Sequence, residues 1–448
     1  LPDFPDVGHV VTPRHLIHHV SGLREQYELL VLAGRDLRDL VTQPQLIKVF
    51  EQQRALNFAP GTDFLYGNSG YTLLAEVVQA VSGHSLREFT TQRMFEPLGM
   101  KRTFYIDDWR EVVPGRAAHY EKSEGRWLHL RDGAGDVGAV GLLTTVEDLA
   151  QWAGNFGKPR VGDAALIDLI SRSGRLNDGS SVHYGFGLFD QPQRGRKAIS
   201  HLGVDRTVMS FLVYYPEHDL GIAVLSNSDV EVTEVALDIA DLYLPPVKST
   251  VAQQISPPVV AKPAQLARLV GTYVSEGLPA LLLESDTAGL KMRLTGDQDG
   301  RALVLRRDGT FDSGSPASEY FRPTATGVDR IRAVGAPTHY RRVERVQDER
   351  SRLAKLAGRY HSDELDVTYE FAVEGDQLVA RSLWRAEPIR LVQITAEQFD
   401  SDAATLRRNI NPHSFTFDID ASGRAARVRM HSARARNIEL LAVKSTHP

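Results

Sequence analysis

The chain has 448 residues, of which 42% are hydrophobic, 24% charged and 8% aromatic, with a formal net charge of -5 and no cysteine. That composition supports large buried cores in about three domains and gives no global pull toward nucleic acid or anionic membrane. It also excludes disulfides, thiolate metal sites and cysteine nucleophiles, and no run approaches the ~18 apolar residues of a membrane-spanning helix. The reading is of a soluble protein, with bacterial-type cytoplasm and periplasm or secretion both left open.

In chain order, "LPDFPDVGHVVTPRHL" opens without Met and without the charged and apolar regions of a signal peptide, so Leu1 reads as an internal start. His15, His18 and His19 stand at i, i+3 and i+4. No carboxylate accompanies them as in H-E-x-x-H, and no metal site is expected there. Ser21-Gly22-Leu23-Arg24 imitates a Ser-x-x-Lys motif. Arginine stays protonated and cannot act as the base, so the segment reads as structural.

"FAPGTDFLYGNSGYTLLAEVV" (Phe58–Val78) carries two readings. In one, Pro60-Gly61 turns the chain, Phe64-Leu65-Tyr66 is extended, and Asn68 or Ser69 caps a helix whose apolar face is Leu73, Leu74, Val77, Val78 and Val81, closed by Gly83. In the other, Tyr66 and Asn68, two apart in an extended piece, face one cleft. A tyrosinate there takes a proton from a nucleophile and a carboxamide holds a substrate carbonyl. Such a tyrosinate needs cations nearby to lower its pKa. "GNSGY" around Ser69 has Tyr71 where a G-x-S-x-G elbow needs glycine, so Ser69 is not expected to be a nucleophile. The glycines of "DGAGDVGAVG" (Asp132–Gly141) lack a dinucleotide-binding frame and are expected to permit close backbone packing beside a cleft. "TTVEDLAQWAGNF" opens with a predicted capping box, Thr144 with Glu147. Ser210–Asp229 reads as two strands joined by a four-residue loop, Pro216–Asp219. These pieces predict an α+β or mixed α/β domain.

Residues 246–263, rich in proline, read as an extended linker. Short alternating strands follow, and "LARLVGTY" from Leu266 returns as "LAKLAGRY" from Leu353, 87 residues later. Two copies of one β-rich unit, each long enough for a small antiparallel barrel, are expected over 264–347 and 348–448. "GRAARVRMHSARAR" (Gly423–Arg436) is locally basic, but its alternation predicts a strand with a solvated face and not a nucleic-acid site.

"TPRHLIHHVSGL", the Tyr66 segment, "MFEPLGMKRTFY", "GAVGLLTTVEDLAQW" and "SHLGVDRTVMSFLVYYPEHDLGIAVLSN" follow one another in this order. Together they resemble the serine β-lactamase and penicillin-binding-protein-like family, which includes class C β-lactamases, D-aminopeptidases and esterases. The likeness covers roughly residues 1–230. It implies a mixed sheet with a helical subdomain over residues 1–245, lacking its first elements, ahead of the 246–263 linker and two lipocalin-like barrels. It also implies that Tyr66 is the general base or acid and that Asn68 ligates the substrate amide. His201-Leu202-Gly203 becomes the strand motif beside the site, with His201 adding a hydrogen bond or positive charge and Gly203 aligning substrate. Relatives continue that motif with further glycines, whereas this chain reads Val204-Asp205-Arg206-Thr207, and Arg206 becomes a candidate grip for a substrate carboxylate. The family nucleophile is a Ser-x-x-Lys motif, and none occurs in the 448 residues. The expectation is a serine hydrolase acting through an acyl-enzyme on an amide or ester, with serine and lysine supplied by chain preceding Leu1 and these residues alone inactive. A non-catalytic protein binding peptide or cell-wall fragments is the alternative. No metal or cofactor is implied. The expected partner is a small-molecule or peptide substrate, and a homodimer stays open.

Overall fold

A computed structural model describes residues 4–37, 39–130, 134–247, 256–287, 289–295, 297, 300–313, 319–332, 335–382, 387–402 and 413–443. The chain groups into two compact units. One comprises Leu1–Leu23, Leu37–Glu51 and Phe58–Gln253, and the other Arg24–Asp36, Gln52–Asn57 and Gln254–Pro448.

The first unit begins with helix α1 (Pro13–Ile17), capped by Thr12 in a box in which the His15 ring accepts from the Thr12 amide. The next helix, α2 (Gln26–Leu32), belongs to the second unit. Helix α3 (Ser69–Ser82) ends where sequence places its stop, at Gly83 with φ 72°. Gly70 lets α3 approach α1, since a Cβ there would lie 2.9 Å from the Leu16 carbonyl oxygen. Helix α4 (Val146–Gly157) starts one residue later than the predicted box. Its N-cap is Thr145, whose hydroxyl accepts from the Asp148 amide. Thr144 is instead engaged by the Thr103 hydroxyl, which also donates to Asp148.

A three-stranded antiparallel sheet follows, formed in order by β1 (Ile199–Asp205), β2 (Val208–Tyr215) and β3 (Leu220–Ser226). The predicted four-residue loop is a short 3₁₀ turn over Pro216–His218 closed by Asp219 at φ 47°. Alternation along β2 divides the apolar side chains between two faces. Phe211, Val213 and Tyr215 pack with Val232, Ala236 and Ala240 of helix α5 (Val232–Tyr243). Tyr214 packs oppositely with Phe156 of α4. Strand β3 is an edge, and an apolar groove of about 370 Å³ runs beside it, lined by Leu149, Ala153, Gly221, Ala223 and Ile239 among others.

The second unit holds two closed eight-stranded antiparallel barrels, as the repeat led us to expect. The first runs from β4 (Gly271–Val274) through β5 (Leu281–Asp286), β6 (Gly289–Leu294), β7 (Arg301–Leu305), β8 (Phe311–Asp312), β9 (Glu319–Pro323) and β10 (Gly327–Arg332) to β11 (Thr338–Val343), which pairs back on β4. The second spans Gly358–Ala442 and closes the same way. Each copy of the repeat supplies a helix, a turn and the first strand. The repeated tyrosine has the same task in both, with Tyr273 donating to the Leu269 carbonyl (2.6 Å) and Tyr360 to the Leu356 carbonyl (3.0 Å). A buried phenol satisfied by the carbonyl four residues earlier closes the barrel foot at no loss of hydrogen bonding.

Sequence reading assigned residues 1–245 to a single domain, yet Arg24–Asp36 and Gln52–Asn57 group with the barrels. Six of the seven residues of α2 are buried, and the Tyr369 hydroxyl inside the second barrel donates to the Leu32 carbonyl at 2.7 Å. Arg24 is buried against Glu364 and donates to the carbonyls of Arg436 and Asn437. The strand containing Arg427 and Arg429 buries Val428 and Met430 and turns its arginines to the expected solvated face, where they pair with Asp418, Glu439 and Glu276. Among the described residues no helix is long and apolar enough to cross a membrane.

Candidate active site

The site is built on the turn that leaves α1. His18 follows the helix and its Nδ1 lies 3.0 Å from the Tyr184 carbonyl, while Gly174 leaves the room its ring occupies. His19 takes φ 56°, a conformation that strains a non-glycine residue and turns its ring into the cleft. The backbone around it laces the Tyr66 segment in place. Gly61 donates to the Val20 carbonyl (2.8 Å), Leu65 to the His19 carbonyl (3.0 Å), and the Gly67 amide to His19 Nδ1 (3.5 Å).

That lacing brings Tyr66 into a cluster of rings. Its centroid is 4.4 Å from His19, 6.2 Å from Tyr184, 6.2 Å from Phe189 and 6.1 Å from His201. Tyr66 and His201, which the motif reading paired from opposite ends of the first unit, therefore meet. Asn68 precedes α3 at the N-cap, but its side chain makes no cap hydrogen bond. It is also helical in φ and ψ (-72°, -29°), so the alternation of an extended strand does not by itself set the direction of its amide. Ser69 is buried at the first position of α3 and is unsuited to attack a substrate.

His201 sits in β1, opposite Leu212 of β2. Its Nε2 is 3.1 Å from the Tyr184 hydroxyl, and desolvation holds its pKa below the usual imidazole value. At neutral pH it is therefore a hydrogen-bonding group and not the positive charge that formed the other half of the expectation. Burial likewise pushes the Tyr184 and Tyr71 phenols up, keeping both protonated. The Tyr71 hydroxyl donates to the Ile17 carbonyl at 3.0 Å, tying α3 to the end of α1. Tyr184 and Phe189 escaped sequence reading because they come from "HYGFGLF", a loop with no periodicity.

Strand β1 is the other edge of the sheet. Ser200 exchanges both backbone hydrogen bonds with Phe189 (2.8 and 3.0 Å), so its amide and carbonyl point away from β2. Along an antiparallel strand that direction repeats every second residue. The backbone groups of Leu202 and Val204 therefore face outward, while those of Gly203 face β2. Gly203 contributes differently. A Cβ there would lie 2.2 Å from Ser210 Oγ, so a larger residue would oblige the serine hydroxyl across the hairpin to turn away. Arg206 is the outlier of the predicted set. It takes φ 55° in the β1–β2 turn, and its Nη2 donates to the Leu37 carbonyl at 2.7 Å. One of its donors is thus taken up by a loop tie.

The remaining candidates resolve simply. Ser21 and Gly22 form the buried, left-handed turn expected of a structural segment. No cluster of three metal-ligating groups occurs among the described residues. The glycine-rich stretch packs closely where it is described. A Cβ on Gly138 would come within 2.4 Å of the Tyr71 carbonyl oxygen, at φ 111°. Asp132 and Gly133 lie outside the described residues.

The ring cluster around Tyr66, Asn68 at the head of α3 and the outward backbone groups of β1 are the groups that could align an extended amide and move a proton. The chain is similar to a D-aminopeptidase of Gluconobacter oxydans (strain 621H), at 26% identity over 378 residues covering 80% of this chain and 67% of that one. It is similar also to a D-aminopeptidase of Brucella anthropi (25% identity, 81% and 66% covered) and to one of Brucella melitensis biotype 1 (24%, 95% and 80%). The chain thus spans between two thirds and four fifths of these relatives. Among solved structures, the octameric penicillin-binding protein homologue from Pyrococcus abyssi aligns with 96% of this chain and 78% of its own, at 21% identity and a TM-score of 0.45. The family model described as Beta-lactamase matches residues 1–243. With more than half of its length matched, the chain belongs to the β-lactamase family.

Proposed function

We propose that the protein is a serine hydrolase that opens an amide bond next to a D-amino acid through an acyl-enzyme. The relatives named D-aminopeptidases support the substrate class. The observation that carries the reading is the meeting of Tyr66 and His201, 6.1 Å apart between ring centres, beside a strand edge that pairs with no further strand among the described residues. Because residues 1–448 contain no Ser-x-x-Lys, the nucleophile belongs to another part of the protein. The edge of β3, which pairs with no further strand among the described residues, and the apolar groove beside it support this, since a sheet edge flanked by apolar side chains accepts a further strand.

In this mechanism the serine hydroxyl attacks the substrate carbonyl while Tyr66, with the lysine, accepts its proton and returns it to the leaving amine. Asn68 holds the substrate amide, the outward amide of Val204 helps hold the oxyanion, and water releases the acyl group. His201 and Tyr184 keep the Tyr66 ring in place. The test is a covalent adduct with a fluorophosphonate, detected by mass spectrometry on protein that includes a Ser-x-x-Lys segment, together with turnover of D-amino acid amides. Tyr66→Phe in that protein should lower turnover at least ~100-fold. No adduct and no turnover would instead support the second reading, a peptide-binding protein without chemistry, which the missing motif itself favours.

A further inference from the structure

The first barrel holds charges where barrels of this size are normally filled with apolar side chains. Its core is Leu281, Leu290, Met292, Leu303, Phe311, Phe321, Val328 and Tyr340. Two residues along from Leu303, Phe321 and Val328, on the same inward rows, stand Arg301, Glu319 and Arg330. With Met292, Asp297 and Tyr340 they line a cavity of about 80 Å³ at one end of the barrel. That is room for two or three waters at roughly 30 Å³ each.

The Arg330 guanidinium donates to Glu319 through Nε (2.8 Å) and Nη2 (2.6 Å), and the Tyr340 hydroxyl bonds the same group. Five N–H donors are available on an arginine, so these partners leave others for a ligand. Arg301 lines the same cavity and makes no ion pair among the described residues. Asp297 accepts from the Leu294 amide through Oδ2 (3.1 Å), which leaves its second oxygen. A partly buried ion pair at the end of a barrel is a poor source of stability, and apolar residues of like volume would serve the fold as well or better. The second barrel shows that alternative. Its interior is filled by Tyr360, Tyr369, Phe371, Phe399, Phe415 and Phe417.

We propose that this cavity binds a small zwitterion, a free amino acid with a side chain no bulkier than that of alanine. Arg301 and Arg330 take the carboxylate, Asp297 takes the ammonium, and Met292 with Phe321 provides the apolar floor for the side chain. Cations and carboxylates lining one small cavity select a ligand carrying both charges over a simple anion, because an anion alone would meet the Asp297 and Glu319 carboxylates with no charge to match them. Binding here is independent of the chemistry at Tyr66.

The test is isothermal titration of the intact chain with glycine, D-alanine, L-alanine, acetate and methylammonium. Glycine and alanine should bind in the millimolar range or tighter, and acetate and methylammonium at least about tenfold more weakly. Arg301→Ala, at an exposed position that leaves the fold intact, and Asp297→Asn should each weaken glycine at least tenfold, while His201→Ala leaves it unchanged. Loss of binding in His201→Ala with retention in Arg301→Ala would place the amino acid in the other unit and overturn the proposal. Acetate binding as tightly as glycine, or no glycine binding in the millimolar range, would also overturn it.

Discussion

Tyr66 acquires its setting from residues far away in sequence. His19, Tyr184, Phe189 and His201 converge on it from two separate loops and one strand. Tyr184 does not reach substrate in the proposed mechanism and acts as a positioning residue, through its 3.1 Å contact with His201 Nε2. Tyr184→Phe keeps the ring packing and removes that contact. It should lower kcat by about fivefold with little change in KM, one hydrogen bond being worth ~1 kcal/mol. It should also move the acid limb of the pH–rate profile, which a purely structural role would not do. A second residue-scale expectation concerns His431, buried beside Arg429, Arg436 and Arg24, where desolvation pulls its pKa down to about 3. Its Nδ1 accepts from the Asn437 amide at 3.0 Å, so the folded state holds it neutral. The unfolded chain takes up a proton below pH ~6.5 while the folded state does not, so stability falls as pH drops from there toward 3. The loss is on the order of 3 kcal/mol by pH 4. Chemical denaturation of His431→Gln should show a flatter dependence over that window than the parent chain.

At the scale of elements, the β1 edge does what no single side chain can. Strand parity turns the Val204 amide outward, where the proposed oxyanion forms, and turns the Gly203 backbone inward. Val204→Pro deletes only that donor, and proline is tolerated on an edge whose amide faces out. Turnover should fall by roughly 10²–10³ while Val204→Ala stays near the parent value. Equal activity of the two variants would remove the Val204 amide from the mechanism. The one-residue displacement of the α4 cap has a comparable cause. Either threonine satisfies the local signal, and the outcome is decided by Thr103, which engages the Thr144 hydroxyl and leaves Thr145 to cap.

At the scale of the whole chain, the barrel unit recruits segments that precede it by more than two hundred residues. Arg24 anchors the first of them. Burial raises the Glu364 carboxyl even with the guanidinium alongside, so desolvation dominates this pair. Arg24→Ala would leave the buried Glu364 with Arg54 but without its guanidinium partner, along with two carbonyls that lose their donor, and should cost about 3–5 kcal/mol in chemical denaturation. A cost below ~1 kcal/mol would mean that the segment docks without the pair.

Sequence alone determined the local and repeated features. These include the helix stopped by Gly83, the four-residue loop Pro216–Asp219 and the duplicated barrels announced by Leu266–Tyr273 and Leu353–Tyr360. Each rests on periodicity, turn chemistry or spacing within a short stretch, where neighbouring residues dictate the backbone. Only tertiary structure decided that Arg206 ties down a loop, that His201 is neutral, that Tyr184 completes the ring cluster and that Arg24 belongs with the barrels. Those outcomes depend on desolvation and on partners distant in the chain, and neither leaves a mark in local sequence.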